Sequence, residues 1–134
     1  MALMEWNDSY SVGVNHIDDQ HRKLIEMLSN FLESVEMDSE RAKTTLINAL
    51  IDYTKYHFSN EEKCFDKFNY SDKENHKKEH QIFIDKVRDI QNRLEAGNMV
   101  LTMEIAKFLR EWLINHIKVS DKQYSQCFNE NGLI

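Results

Sequence analysis

The chain has 134 residues, enough for one domain with a proper core and too few for two. Its 41% hydrophobic and 30% charged residues suit a folded globular protein rather than a disordered one. The formal net charge of −6 is spread over interleaved acids and bases, and no basic block exists to neutralise phosphates, so no nucleic acid partner is expected.

Proline is absent and glycine occurs only at Gly13, Gly97 and Gly132, too few turn formers for a β-rich fold of this size. The N-terminal Met1-Ala-Leu-Met-Glu-Trp6 has no basic region followed by an apolar run, so no signal peptide is expected. No apolar run approaches the roughly 20 residues of a membrane span. The expected location is therefore cytoplasmic, with Cys64 and Cys127 as free thiols, since they match no zinc spacing.

Residues 1 to about 17 mix aromatic and polar side chains without helical periodicity and read as an ordered arm over the domain. Four amphipathic patterns follow, with apolar positions at steps of three and four. The first carries Ile17, His21, Leu24, Ile25, Leu28, Phe31, Leu32 and Val35. After it, Asp38 and Ser39 offer N-cap oxygens to a second pattern of Leu46, Leu50, Tyr53, His57, Glu61, Cys64 and Phe68. Ser71 with Glu74 reads as a capping box opening the third, which carries His76, His80, Phe83, Val87, Ile90 and Leu94. Gly97-Asn98 stops it, and the fourth carries Ile105, Phe108, Leu109, Trp112, His116 and Val119. Tyr124, Cys127 and Phe128 suggest a short terminal helix with a loose end. Such short connections force antiparallel neighbours, so the expected fold is an all-α, up-down-up-down four-helix bundle over 18–121, in a single domain spanning 1–134.

Five of the six histidines and two carboxylates continue these apolar stripes. Residues four apart stack on one helix face, so His57 pairs with Glu61 and His76 with His80. His116 and Asp121 are five apart, which an ideal α-helix does not align, and a distorted or ended helix is expected there. In an antiparallel bundle all seven fall at one level: His21 and His76/His80 open their helices, while His57/Glu61 and His116/Asp121 close theirs. Burying imidazole and carboxylate is costly unless something pairs with them, and two metal ions satisfy all seven. Five histidines divide unequally. With both carboxylates and a solvent oxygen bridging, one ion has six ligands and the other five, leaving an open position. The donors suit iron, manganese or zinc.

His16 matches no ligand position and reads as a surface residue. Phe31, Tyr53, Phe83 and Phe108 read as core packing, and Tyr56, Lys63 and Lys67 as solvated. Glu62 and Glu79 sit one step off the buried face, outside the ligand set.

The sequence resembles hemerythrin, and more closely the single-domain bacteriohemerythrins. The resemblance is carried by Trp6, Val12-Gly13, Ile17-Asp18-Asp19-Gln20-His21, His57-Phe58-Ser59-Asn60-Glu61-Glu62, His76-Lys77-Lys78-Glu79-His80 and Trp112 through Asp121, and it spans nearly the whole chain. It implies a non-haem di-iron centre, with His76, His80 and His116 on one iron, His21 and His57 on the other, and Glu61, Asp121 and an oxo or hydroxo oxygen bridging. It implies reversible binding of dioxygen as hydroperoxide at the two-histidine iron, for transport, storage or delivery, in a pocket lined by Leu24, Phe58, Trp112, Leu113 and Ile117. An apolar pocket lacks proton donors and so favours storage over oxidation. The alternatives are an enzyme reducing peroxide or another small oxidant, for which Tyr53 is the nearest hydroxyl, and an O₂ or redox sensor. Nitric oxide is a further candidate ligand, and the expected state is a monomer or small homo-oligomer.

Overall fold

The computed structural model describes residues 4–34, 40–97 and 103–134. Val35, the cap candidates Asp38 and Ser39, and Asn98 lie outside the described residues. Regular structure among the described residues is helical: α1 (Asn15–Glu33), α2 (Glu40–Lys67), α3 (Lys73–Glu95), α4 (Met103–Asn115) and α5 (Lys122–Glu130). The first four form the expected bundle. Helix α1 packs on α2 and on α4, and α2 packs on α3.

A one-turn 3₁₀ segment, Asp8–Tyr10, interrupts the arm. The arm is pinned by Asp18, whose buried carboxylate accepts the Val12 N–H at 2.8 Å and the Ser11 hydroxyl at 2.6 Å. From the other side, the Asn129 amide donates to the Gly13 carbonyl at 3.0 Å. Helix α1 starts at Asn15, a little inside the stretch assigned to the arm. Asp18 in its first turn also places negative charge where the helix dipole favours it.

Helix α2 lies between α1 and α3, and its buried face is accordingly wider than the expected single stripe. Ile47, Ile51, Thr54, Phe58 and Phe65 are buried beside Leu50, His57 and Glu61, whereas Leu46, Tyr53 and Cys64 are only half-buried. The helix ends in a Schellman motif. Asn69 takes the left-handed conformation (φ 50°), the Tyr70 N–H reaches back to the Phe65 carbonyl at 2.9 Å, and their rings meet at 5.2 Å. Phe68 thus lies beyond the helix. The turn also displaces the expected capping box: α3 is entered through Asp72, without a side-chain cap on its backbone, and Ser71 is exposed. Gly97 (φ 71°) ends α3 as expected.

Two positions assigned to the core of the fourth pattern are exposed. Phe108 is 41% exposed, with the Lys86 ammonium over its ring at 5.5 Å, because the buried face of α4 is centred on Ala106, Leu109 and Leu113. Val119 is 57% exposed because the chain is no longer α-helical there. The C-terminal end is fastened rather than loose. The Leu133 N–H bonds the Phe128 carbonyl at 2.9 Å, and Leu133 packs on the apolar cluster beneath the arm.

The apolar core comes in two parts. The larger fills the middle of the bundle, and the smaller joins Val12, Val14, Ile17, Phe65, Tyr70, Tyr124 and Phe128. Along the chain most residues of interest fall between the two, His21 between Ile17 and Leu24, Glu61 between Phe58 and Phe65, His76 and His80 between Tyr70 and Phe83, Asp121 between Ile117 and Tyr124, while His57 and His116 adjoin Phe58 and Ile117 at the edge of the larger cluster. A polar layer therefore divides an otherwise apolar interior, and that layer is the site.

Candidate metal centre

His21, His57, Glu61, His76, His80, His116 and Asp121 are between 0 and 3% exposed. Their donor atoms form two overlapping groups. Glu61, His76, His80, His116 and Asp121 offer five atoms that lie within 4.8 Å of one another, and so do the four from His21, His57, Glu61 and Asp121. The carboxylates belong to both. Asp121 turns Oδ1 to His76 and His116, at 2.8 and 3.1 Å, and Oδ2 to His21 at 3.0 Å. Glu61 turns Oε1 to His80 at 3.1 Å and to His57 at 3.5 Å, and Oε2 to His21 at 3.5 Å.

Each contact follows from local structure. His57/Glu61 and His76/His80 are four-residue pairs on α2 and α3. Between His116 and Asp121 the backbone is a π-helix, in which i→i+5 bonding gives each turn an extra residue. That extra residue points Val119 outward and brings Asp121 onto the face of His116, the distortion the five-residue spacing demanded.

Whether these residues suit a cation is answered by their unpaired atoms. His21 Nε2, His76 Nε2, Glu61 Oε1 and both Asp121 oxygens are buried without a hydrogen-bond partner, although they crowd one another. His80 and His116 point their Nε2 atoms at each other at 3.1 Å. The His80 Nδ1 faces the Glu62 carboxylate at 2.9 Å and holds the proton there, so its inward nitrogen is a lone pair. Converging lone pairs and two buried carboxylates call for positive charge. Without a metal, protons must supply it. Burial works to lower the His21 pKa, but Asp121 and Glu61 outweigh it and raise it to about 9; at His116, Asp121 and Glu79 likewise overcome burial and raise it to about 10. Burial prevails at His57 and lowers its pKa to about 3. The donor set fits metal ions.

Occupancy should then be visible in stability. Chelation is expected to lower the thermal midpoint by roughly 15 °C, because a ligand at about 1,000 times its Kd contributes about 4 kcal/mol and each kcal/mol moves a domain of this size by about 4 °C. Melting curves with and without chelator check this, and coincident curves would mean that the imidazoles and carboxylates satisfy one another.

Two of the expected pocket residues touch the histidine rings. Phe58 stacks on His80 (centroids 3.7 Å, planes 5° apart) and Trp112 on His116 (4.6 Å, 11°), both in the three-histidine group. Leu24, Leu113 and Ile117 belong to the central apolar cluster, essentially without exposure.

Four further residues touch the site. Gln20 accepts from His57 Nδ1 at 2.7 Å, Glu62 contacts His80, and Glu79 lies 3.7 Å from His116 Nδ1 while accepting the Ser120 hydroxyl at 2.7 Å. Glu62 and Glu79 lie one step off the buried face, as the sequence pattern has them, yet both belong to the surround. Every one of the three adjoins a site residue in sequence, the only signal that could have found them. The fourth is Tyr124, whose hydroxyl donates to Glu61 Oε2. Tyr53, the hydroxyl expected nearest the site, instead lies half-buried under the Lys23 ammonium at 5.0 Å.

Residues 12–127 match the family described as the hemerythrin HHE cation binding domain. The bacteriohemerythrin of Stenotrophomonas maltophilia (strain R551-3) is 36% identical over 126 residues, covering 93% of this chain and 81% of the relative. That of Methylococcus capsulatus is 32% identical over 130 residues, covering 96% and 99%. A wild-type hemerythrin crystal structure superposes with a TM-score of 0.89 at 32% identity, covering 94% of this chain and 98% of that one. On sequence, fold and clustered donors together, the chain belongs to the hemerythrin family.

Proposed function

We propose that the chain is a dioxygen-binding protein that holds two iron ions, one among His76, His80 and His116 and the other between His21 and His57, with Glu61 and Asp121 shared by both. The observation that carries this reading is the overlap of the two donor groups in those two carboxylates. Iron held by these residues would supply the reversible electron transfer that dioxygen binding needs.

The protein's own part is to hold the ligands and keep protons and water away. Gln20 fixes the His57 tautomer through an amide, which has no ionisable proton to give. Leu24, Phe58, Leu113 and Ile117 are 0 to 3% exposed within the central apolar cluster, and Phe58 brings its ring against His80. A dry, aprotic space favours a ligand that leaves as it came.

Peroxide reduction is a second reading, and one observation speaks for it: the Tyr124 hydroxyl reaches Glu61. Burial and the Glu61 charge push the Tyr124 pKa well above its ordinary value, however, and make it a poor proton donor. Among the described residues no helix is long and apolar enough to cross a membrane, and we place the protein in the cytoplasm, as a monomer or small homo-oligomer.

The test is the visible spectrum of protein loaded anaerobically with ferrous iron and cycled between air and argon. Bands that appear in air and vanish under argon, cycle after cycle, are expected. Immediate conversion to a stable ferric spectrum, with peroxide or nitric oxide consumed on addition, would transfer the assignment to an enzyme.

A further inference from the structure

The outward nitrogens of the histidines meet different chemistry on the two sides of the site. In the three-histidine group, His80 Nδ1 hydrogen-bonds the Glu62 carboxylate at 2.9 Å, while His116 Nδ1 faces the Glu79 carboxylate at 3.7 Å, beyond hydrogen-bond distance. In the two-histidine group, His57 Nδ1 meets the neutral Gln20 amide at 2.7 Å, and His21 Nδ1 is buried without a hydrogen-bond partner. One bonded carboxylate, with a second close by, backs one side and none backs the other.

An imidazole whose outer N–H donates to a carboxylate gains electron density at its inner nitrogen and binds metal more strongly, and such partners are worth about 10- to 100-fold in affinity. We propose that Glu62, through its bond to His80, makes the three-histidine position the tight one, with the nearby Glu79 charge as a smaller aid, and that Gln20 leaves the two-histidine position exchangeable, filled last and emptied first. The inference rests on the two-ion reading above and adds residues outside the ligand set to it. Ligand number works in the same direction, so the test must act on the surrounding residues alone.

The metal-free full chain is titrated with zinc, which has no redox chemistry, against a competing chelator to resolve two binding steps. His57→Ala identifies the two-histidine step by removing it. Gln20→Glu is expected to tighten that step about 10-fold and leave the other unchanged. Glu62→Gln is expected to weaken the tight step by about 10-fold or more, and Glu79→Gln to weaken the same step by less. Equal movement of both steps marks a general charge effect and overturns the proposal, as does no movement at all. Should Gln20→Glu fail to fold, the two glutamine variants decide alone. Wild-type protein that takes up only one zinc, or none, contradicts instead the two-ion reading beneath it.

Discussion

Asp121→Asn is expected to leave the chain unable to hold either ion, whereas His57→Ala should empty one position and keep the other. Asp121 offers a different oxygen to each donor group, Oδ1 toward His76 and His116 and Oδ2 toward His21. His57 enters only the smaller group. Four-ligand structural zinc sites bind with about 10–16 kcal/mol, or roughly 3 kcal/mol per ligand, so each lost ligand costs about 100-fold in affinity. Asparagine keeps the volume but removes the charge that, under the proposed function, offsets two cations in a dry layer, so the loss falls on both positions. Metal content after gel filtration, with far-UV circular dichroism as the folding control, reads the outcome. Asp121→Asn protein that retains two ions, or His57→Ala protein that loses both, would sink the division of ligands. Under the proposed function, His57→Ala protein also forms no oxygenated spectrum.

Membership of the site was legible in the sequence where it follows from helical phase, whereas which ion His57 and Asp121 serve came from the family resemblance alone. His57/Glu61 and His76/His80 are four-residue steps in continuous stripes, and such steps survive errors of a residue or two in helix ends. The surrounding residues do not follow from phase. Gln20, Glu62 and Glu79 sit about 100° round their helices from a site residue, where a charged or amide side chain normally meets solvent. Each is long enough to turn back to an imidazole edge, and side-chain reach does not enter a hydrophobic pattern. The width of α2's buried face was hidden for a related reason, since it depends on two neighbours packing against one helix. Ser71 failed as a cap because Asn69 adopts a left-handed turn that only the folded contact between Phe65 and Tyr70 selects. Tyr124 was beyond reach altogether. Its phase relative to α4 depends on how the chain passes from His116 to Asp121.

That passage is the most demanding part of the fold, and exchanging two adjacent residues tests it. The double variant Ser120→Asp, Asp121→Ser keeps composition and charge but moves the carboxylate one residue toward His116. In an α-helix the new spacing of four would suit metal binding better than the native five. The π-helix over His116–Asp121 reverses that expectation. Its register is held from beyond by Tyr124 and Phe128, which stack at 4.2 Å in the small apolar cluster, and by the Tyr124 hydroxyl on Glu61. Relaxing the segment to α-helix would rotate α5 by about 100° and withdraw both rings, at a cost of roughly 3 kcal/mol or more for each lost core aromatic. The wide turn should therefore persist in the exchanged protein, with the new Asp against Glu79, where the Ser120 hydroxyl now sits, and a hydroxyl in the site. Metal content is expected to fall as far as in Asp121→Asn. Deleting Lys118, which is exposed, tests the converse. Removing one residue closes the segment to an α-helical turn with Asp121 four places after His116 and α5 still in phase, so that variant should retain both ions. An exchanged protein that binds two ions while the deletion binds none would mean that the π-helix does not aim Asp121.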